Sequence, residues 1–333
     1  MKKFFKILGI IVGVIVVIII AGYIYLNVAY PDVEPPENIK VEVTAERLAR
    51  GEYLANHVTV CIDCHSERDW TKYAGPVKPG TTGSGGEVFD EKIGFPGTVI
   101  TKNLTPANLG SWTDGELLRA ITCGVTKDNK ALFPMMPYMN YTNLTEEDAY
   151  SIIAYIRSLS PVERQFPETE LNFPLNLLVK TMPLKNYTPA APVDKSDSIA
   201  YGKYLVTLAS CSECHTQSDQ GKPLPGMSFA GGEQFNFPSG VVRSANITPD
   251  EETGIGSWDK DNFLERFSYF RDEIAHNTAV DMNKDFNTPM PWLMYSGMSD
   301  EDLGAIYDYL RTLKPVKNSV QSFTPKSKTT ASE

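Results

Sequence analysis

Cys61-Ile62-Asp63-Cys64-His65 and, further along the chain, Cys211-Ser212-Glu213-Cys214-His215 repeat one spacing: two cysteines three apart with a histidine directly behind. On a helical turn, positions i, i+3 and i+4 share a face, so the thiols and imidazole of each set converge. That convergence suits covalent haem attachment. Two thiols form thioethers with the two vinyl groups, while the adjacent imidazole reaches the iron from the same side. A zinc site, a thioredoxin-type redox pair and a disulfide are the competing uses. Zinc-binding cysteine pairs usually lie within about 12 to 20 residues of each other, whereas Cys64 and Cys211 stand more than a hundred apart. A redox pair requires no following histidine, and both pairs here have one.

Outward from these motifs the chain reads as two copies of one unit. The first copy holds Gly51-Glu52-Tyr53-Leu54, the first cysteine motif, Asn103-Leu104-Thr105-Pro106, Trp112, Met136-Pro137-Tyr138 and Tyr155-Ile156-Arg157, closing at Pro161-Val162. The second holds Gly202-Lys203-Tyr204-Leu205, the second motif, Asn246-Ile247-Thr248-Pro249, Trp258, Met290-Pro291-Trp292 and Tyr309-Leu310-Arg311, closing at Pro315-Val316. Order and approximate spacing agree, which sets a two-domain reading before any secondary structure is assigned. Near the end of each copy, Ala149, Ile152, Ile153, Ile156 and Leu159, and likewise Leu303, Ile306, Tyr307, Leu310 and Leu313, fall on one helical face. Thr145 and Ser299 are the expected N-caps and Pro161 and Pro315 the stops. Gly51 and Gly202 are where the first and last helices of each copy are expected to cross.

An iron held by His65 or His215 needs a second axial ligand, and the duplication nominates Met136 and Met290. Met135 is the alternative in the first copy, but only Met136 matches the second copy without a gap. A His/Met pair raises the potential of a haem relative to two histidines. Trp112 and Trp258 are candidate indole N–H donors to haem propionates, or packing residues, and Arg119 and Arg266 are further candidates for that contact. His57 and His276 lack counterparts in the other copy and are expected at the surface. Cys123 is expected to be a small buried apolar residue.

Lys2, Lys3 and Lys6 precede Ile7–Leu26, a run without a charge. Its length matches the roughly 30 Å of a bilayer's hydrocarbon core. A removed export signal typically has a shorter apolar run, about 7 to 15 residues, and small residues at the cleavage site. The expectation is therefore an uncleaved single-pass anchor in a bacterial inner membrane, its cationic flank cytoplasmic and the rest of the chain periplasmic. The 333-residue chain is 42% hydrophobic and 22% charged, the makeup of a folded protein. Its net charge of −10 excludes nucleic acid as the natural partner.

With these residues in view, the sequence resembles the class I cytochrome c family in both copies. More narrowly, Asn246-Ile247-Thr248-Pro249-Asp250-Glu251-Glu252-Thr253-Gly254-Ile255-Gly256-Ser257-Trp258 looks like a segment of the cytochrome subunits of bacterial membrane-bound alcohol and gluconate dehydrogenases. Those subunits generally carry three haem domains, and this chain has two motifs. The expected architecture is all-α: an anchor (1–30), a linker (31–43), cytochrome c domain 1 (44–162), a Pro-rich linker (163–195), cytochrome c domain 2 (196–316) and a flexible tail (317–333). The expected cofactors are two covalently bound haem c groups, on Cys61, Cys64, His65 and Met136 and on Cys211, Cys214, His215 and Met290. The expected role is single-electron transfer, without substrate catalysis. The donor is a dehydrogenase or quinol-oxidising complex, and the acceptor a terminal oxidase or soluble cytochrome. A subunit that docks a dehydrogenase or oxidase at the membrane, and a dihaem peroxidase, are the alternatives.

Overall fold

In the computed structural model, which describes residues 1–326, the apolar run forms α1 (Lys2–Ala29), a 28-residue helix with no buried residue. Copy one contains α2 (Ala45–Tyr53), continued by a π-turn over Leu54–Val58, then α3 (Cys61–Cys64), α4 (Pro106–Leu109), α5 (Asp114–Cys123), α6 (Tyr138–Tyr141) and α7 (Glu146–Ser158). The linker carries α8 (Leu175–Leu178). Copy two contains α9 (Ser198–Leu208), α10 (Cys211–His215), α11 (Lys260–Ser268), α12 (Glu273–Asn277), α13 (Trp292–Tyr295) and α14 (Asp300–Arg311). Thr145 and Ser299 do cap α7 and α14, each side chain accepting from the backbone N–H three residues on. A Cβ on Gly51 would press into the carbonyl of Ser151, and one on Gly202 into that of Ala305. The missing side chains thus let α2 cross α7, and α9 cross α14, at close range.

The fold is not purely helical, which corrects the all-α expectation. β1 (Val88–Phe89), β2 (Gly97–Ile100) and β3 (Glu170–Leu171) make an antiparallel sheet in that order, and β4 (Ser218–Asp219) pairs with β5 (Lys222–Pro223). β6 (Gln234–Phe237), β7 (Gly240–Arg243) and β8 (Phe323–Pro325) form another three-stranded sheet. The physical cause is backbone satisfaction. The long loops behind the cysteine motifs fold back as hairpins, and a neighbouring segment supplies a third strand to the open edge. That segment is the linker in copy one (Gly97 opposite Leu171) and the chain end in copy two (Val241 opposite Thr324). Residues 317–326 are therefore tied down rather than a flexible tail, and residues 327–333 lie outside the described residues.

The linker lies against domain 1: Val179 is buried and the Leu184 amide donates to the Cys123 carbonyl at 2.9 Å. The two copies share one apolar core, in which Leu54, Val58, Ile152 and Ile153 of the first join Leu205, Leu208, Leu303 and Leu310 of the second. Around it the copies exchange equivalent contacts. The Tyr53 hydroxyl donates to Asp302 at 2.7 Å and accepts from the Ser299 amide at 3.1 Å. The Tyr204 hydroxyl donates to Asp148 at 2.6 Å and accepts from the Thr145 amide at 3.2 Å. One difference breaks the symmetry: Asp148 also takes both arms of Arg50, at 2.8 and 2.9 Å, where Asp302 has the hydroxyl of Tyr201 at 3.3 Å.

Candidate haem sites

Each cysteine turn is entered through a left-handed residue, Val60 (φ 45°) or Ser210 (φ 53°). For a β-branched valine this is strained backbone, of the kind that surrounding structure must enforce. Cys61, Cys64, Cys211 and Cys214 form no disulfide. Burial pushes the Cys64 and Cys211 thiols up to about 12, opposite to the depressed thiol of a redox pair. Among the described residues no three His, Cys, Asp or Glu side chains gather as a metal site, so a zinc reading has no ligand set.

His65 donates its Nδ1–H to the Lys102 carbonyl and His215 to that of Ala245, each at 2.7 Å. This fixes the tautomer and leaves Nε2 with its lone pair for a metal. Desolvation lowers the pKa of both imidazoles, which favours that neutral form. The accepting carbonyls sit immediately before the two Asn-x-Thr-Pro segments, and this explains the repeat. The Asn103 side-chain oxygen accepts from the Thr105 amide (2.8 Å) and hydroxyl (2.7 Å), while its Nδ2 donates to the Val162 carbonyl at 2.7 Å. Asn246 does the same with Thr248 (2.9 and 2.7 Å) and Val316 (2.8 Å). The histidine's acceptor is thereby strapped to the chain leaving the last helix of its own copy.

A glycine makes room beneath each strap. The Gly85 amide donates to the His65 carbonyl and the Gly231 amide to that of His215, both at 2.8 Å. Both glycines have positive φ, 72° and 70°, and a Cβ would press into the backbone of Thr101–Lys102 or of Ala245.

Pro137 and Pro291 open α6 and α13 with matching backbone angles (ψ 53° and 59°), which places Met136 and Met290 in equivalent loop positions. Each methionine loop is tied to its own cysteine turn: Tyr141 donates to the Thr59 carbonyl and Tyr295 to that of Ala209, both at 2.6 Å. Met136, Met290, Cys61, Cys211, Trp112 and Trp258 are all partly buried against the shared core, and Met135 does not join them. Lys127 and Arg266 lie 6.0 Å from the rings of Trp112 and Trp258.

Other residues singled out in the sequence fall elsewhere. Arg119 is buried and donates from its two terminal nitrogens to the carbonyls of Glu34, Thr126 and Lys127, while its Nε has no partner among the described residues. Cys123 is buried, as expected, and burial raises its thiol. His57 and His276 are half-buried. Both line one cleft of about 510 Å³ on the seam with Arg271 and Asp300, and His57 donates to the Met294 carbonyl at 2.9 Å.

Sequence reasoning missed Tyr141, Tyr295, Gly85 and Gly231, although Gly-Gly-Glu occurs once per copy, as does Met-Pro-x-x-x-Tyr apart from a third match at Met182–Tyr187 in the linker. It also missed a buried ion pair particular to copy one. Asp63, between the cysteines, meets Arg68 at 3.0 Å, and Arg68 lies 4.2 Å over the ring of Trp70, whose indole donates to Glu87. In copy two the corresponding Glu213 is exposed.

Two cysteine turns, each with a carbonyl-anchored histidine and a tethered methionine loop, define a tandem c-type cytochrome. The sequence profile of the cytochrome c family matches residues 48–160 and 199–314. The chain belongs to that family and carries covalently bound haem c. It is 27% identical over 288 residues to the cytochrome c subunit of the quinone alcohol dehydrogenase of Gluconobacter oxydans, covering 81% of this chain and 55% of that subunit. It is 28% identical over 281 residues to the gluconate 2-dehydrogenase cytochrome c subunit of Pantoea cypripedii, covering 79% and 59%. A diheme cytochrome c-type protein of Cereibacter sphaeroides is 30% identical over 199 residues, 57% of this chain and 63% of that protein. The chain spans somewhat more than half the length of the dehydrogenase subunits it matches.

Proposed function

We propose that the chain is the electron-carrying subunit of a membrane-bound bacterial dehydrogenase, held in the inner membrane by α1 with both cytochrome domains on the periplasmic side. Haem c, when bound, takes up and releases one electron at its iron. Cys61, Cys64, Cys211 and Cys214 would hold the two groups covalently, and the Nε2 atoms of His65 and His215 with the sulfurs of Met136 and Met290 would bind their irons. In this reading Trp112 and Trp258, whose indole N–H groups have no protein acceptor among the described residues, would donate to haem carboxylates.

The observation that carries this reading is the pair of tethers, Tyr141 to Thr59 and Tyr295 to Ala209, which lock each methionine loop to its own cysteine turn. A loop held this way would keep its methionine sulfur at the iron, leaving no site there for peroxide. The dehydrogenase as donor rests on the likeness to the alcohol, gluconate and fructose dehydrogenase cytochrome subunits. The acceptor is a terminal oxidase or a soluble cytochrome.

The test is spectroscopic and biochemical. The mature chain should show two low-spin haems that bind no carbon monoxide when reduced, and gentle extraction from the native membrane should bring a dehydrogenase subunit with it. A high-spin ferric haem, or peroxide turnover at enzymatic rates, would sink the carrier reading in favour of a peroxidase.

A further inference from the structure

We propose that the linker loop 172–182 is a second membrane contact, its exposed apolar side chains set into the outer leaflet next to α1. This rests on the reading of α1 as a membrane anchor. Residues 171–179 contain no charge. Within them Phe173 is 78% exposed and Leu178 47% exposed, while Leu175 and Leu177 are half-buried. A phenylalanine and a leucine presented together to water on a rigid loop call for an apolar partner.

The loop is held rigidly at both ends. β3 pairs with β2 before it, the Asn172 amide donates to the Pro96 carbonyl at 3.1 Å, and Leu184 is bonded to Cys123 after it. What covers it is argued from where it is tied. Lys180 donates from Nζ to the side-chain oxygen of Asn27, near the end of α1. Lys185 meets Asp32 at 3.5 Å, and its carbonyl accepts from the Glu34 amide at 2.7 Å. Asn27 directly follows the uncharged run Ile7–Leu26, so the hydrocarbon boundary falls at its level. Tyr25 and Tyr30, with ring centroids 6.0 Å apart, sit at the same level, as interfacial aromatics do. A loop bonded to that level has its apolar tip at the lipid interface. The occupant is therefore the bilayer.

The test uses the full haem-loaded chain in phosphatidylcholine–phosphatidylglycerol nanodiscs. Single spin labels are placed on Phe173→Cys, Leu178→Cys, Ile15→Cys and the exposed Thr188→Cys, each in a Cys123→Ala background, and collision with oxygen is compared with collision with a water-soluble nickel chelate. The expected result is an oxygen-to-nickel ratio at 173 and 178 several-fold above that at 188 and below that at 15. Labels at 173 and 178 that match 188, while 15 reads hydrocarbon, overturn the second contact and leave the anchor standing. Labels shielded from both reagents overturn it in favour of a protein partner on this loop. A water-like reading at 15 overturns the anchor, and this proposal with it.

Discussion

Tyr53 of the first domain donates its hydroxyl proton to Asp302 of the second, 249 residues away, at 2.7 Å. Tyr204 returns the same contact to Asp148. Burial raises the pKa of both phenols, so each remains a donor across the neutral range. Removing one hydroxyl leaves a buried carboxylate short of a partner, at a cost of about 1–3 kcal/mol. Tyr53→Phe should cost more than Tyr204→Phe, because Asp148 keeps Arg50 while, among the described residues, the Asp302 carboxylate keeps only Tyr201. Urea unfolding of the haem-loaded chain in detergent checks the order, and equal losses would contradict it.

Met136→His should lower the midpoint potential of one haem only, since a second imidazole favours the ferric state relative to a thioether. Met135→Leu should leave both potentials and the visible spectrum unchanged. Spectroelectrochemical titration of the two variants tells the methionines apart.

Gly85→Ala and Gly231→Ala each force a side chain into left-handed backbone, worth about 1–2 kcal/mol, and into the strap that holds the histidine's acceptor. Both should fall below the parent chain in stability by more than that, followed through the haem absorbance during denaturation. Gly80→Ala, at positive φ but with open space around it, should lose only the backbone part.

Replacing Cys211 and Cys214 together by serine should halve the covalent haem per chain, measured by mass and by pyridine haemochrome. Cys123→Ala should leave it at two, and Cys123 in the folded parent should resist maleimide until the chain is unfolded, because its thiol is buried.

The chemistry was legible because it is local. C-x-x-C-H is read within one helical turn, and the methionine and Asn-x-Thr-Pro positions emerge from aligning one half of the chain with the other. What escaped depends on distant partners or on segments too short to carry a period. β1, β3, β4 and β5 are two residues each, and two residues show no alternation. β8 exists because an open edge at β7 accepts it, which nothing in Phe323-Thr324-Pro325 announces. Arg119 could be numbered from its tryptophan, yet its direction was set by carbonyls of the first linker and the following loop. The Asn-x-Thr-Pro repeat was visible as a pattern, and its purpose became clear only when Val162 and Val316 were seen to close it.

The reciprocal tyrosine–aspartate exchange has the form of an isologous interface, in which residue i of one partner touches j of the other and j touches i. Such reciprocity arises between two identical molecules, and here it survives inside a single polypeptide. The two halves thus meet as the protomers of such a dimer would, with the proline-rich connection joining them into one polypeptide. Arg50 and Tyr201, unlike residues at equivalent places beside this contact, are where the exchange departs from two-fold symmetry.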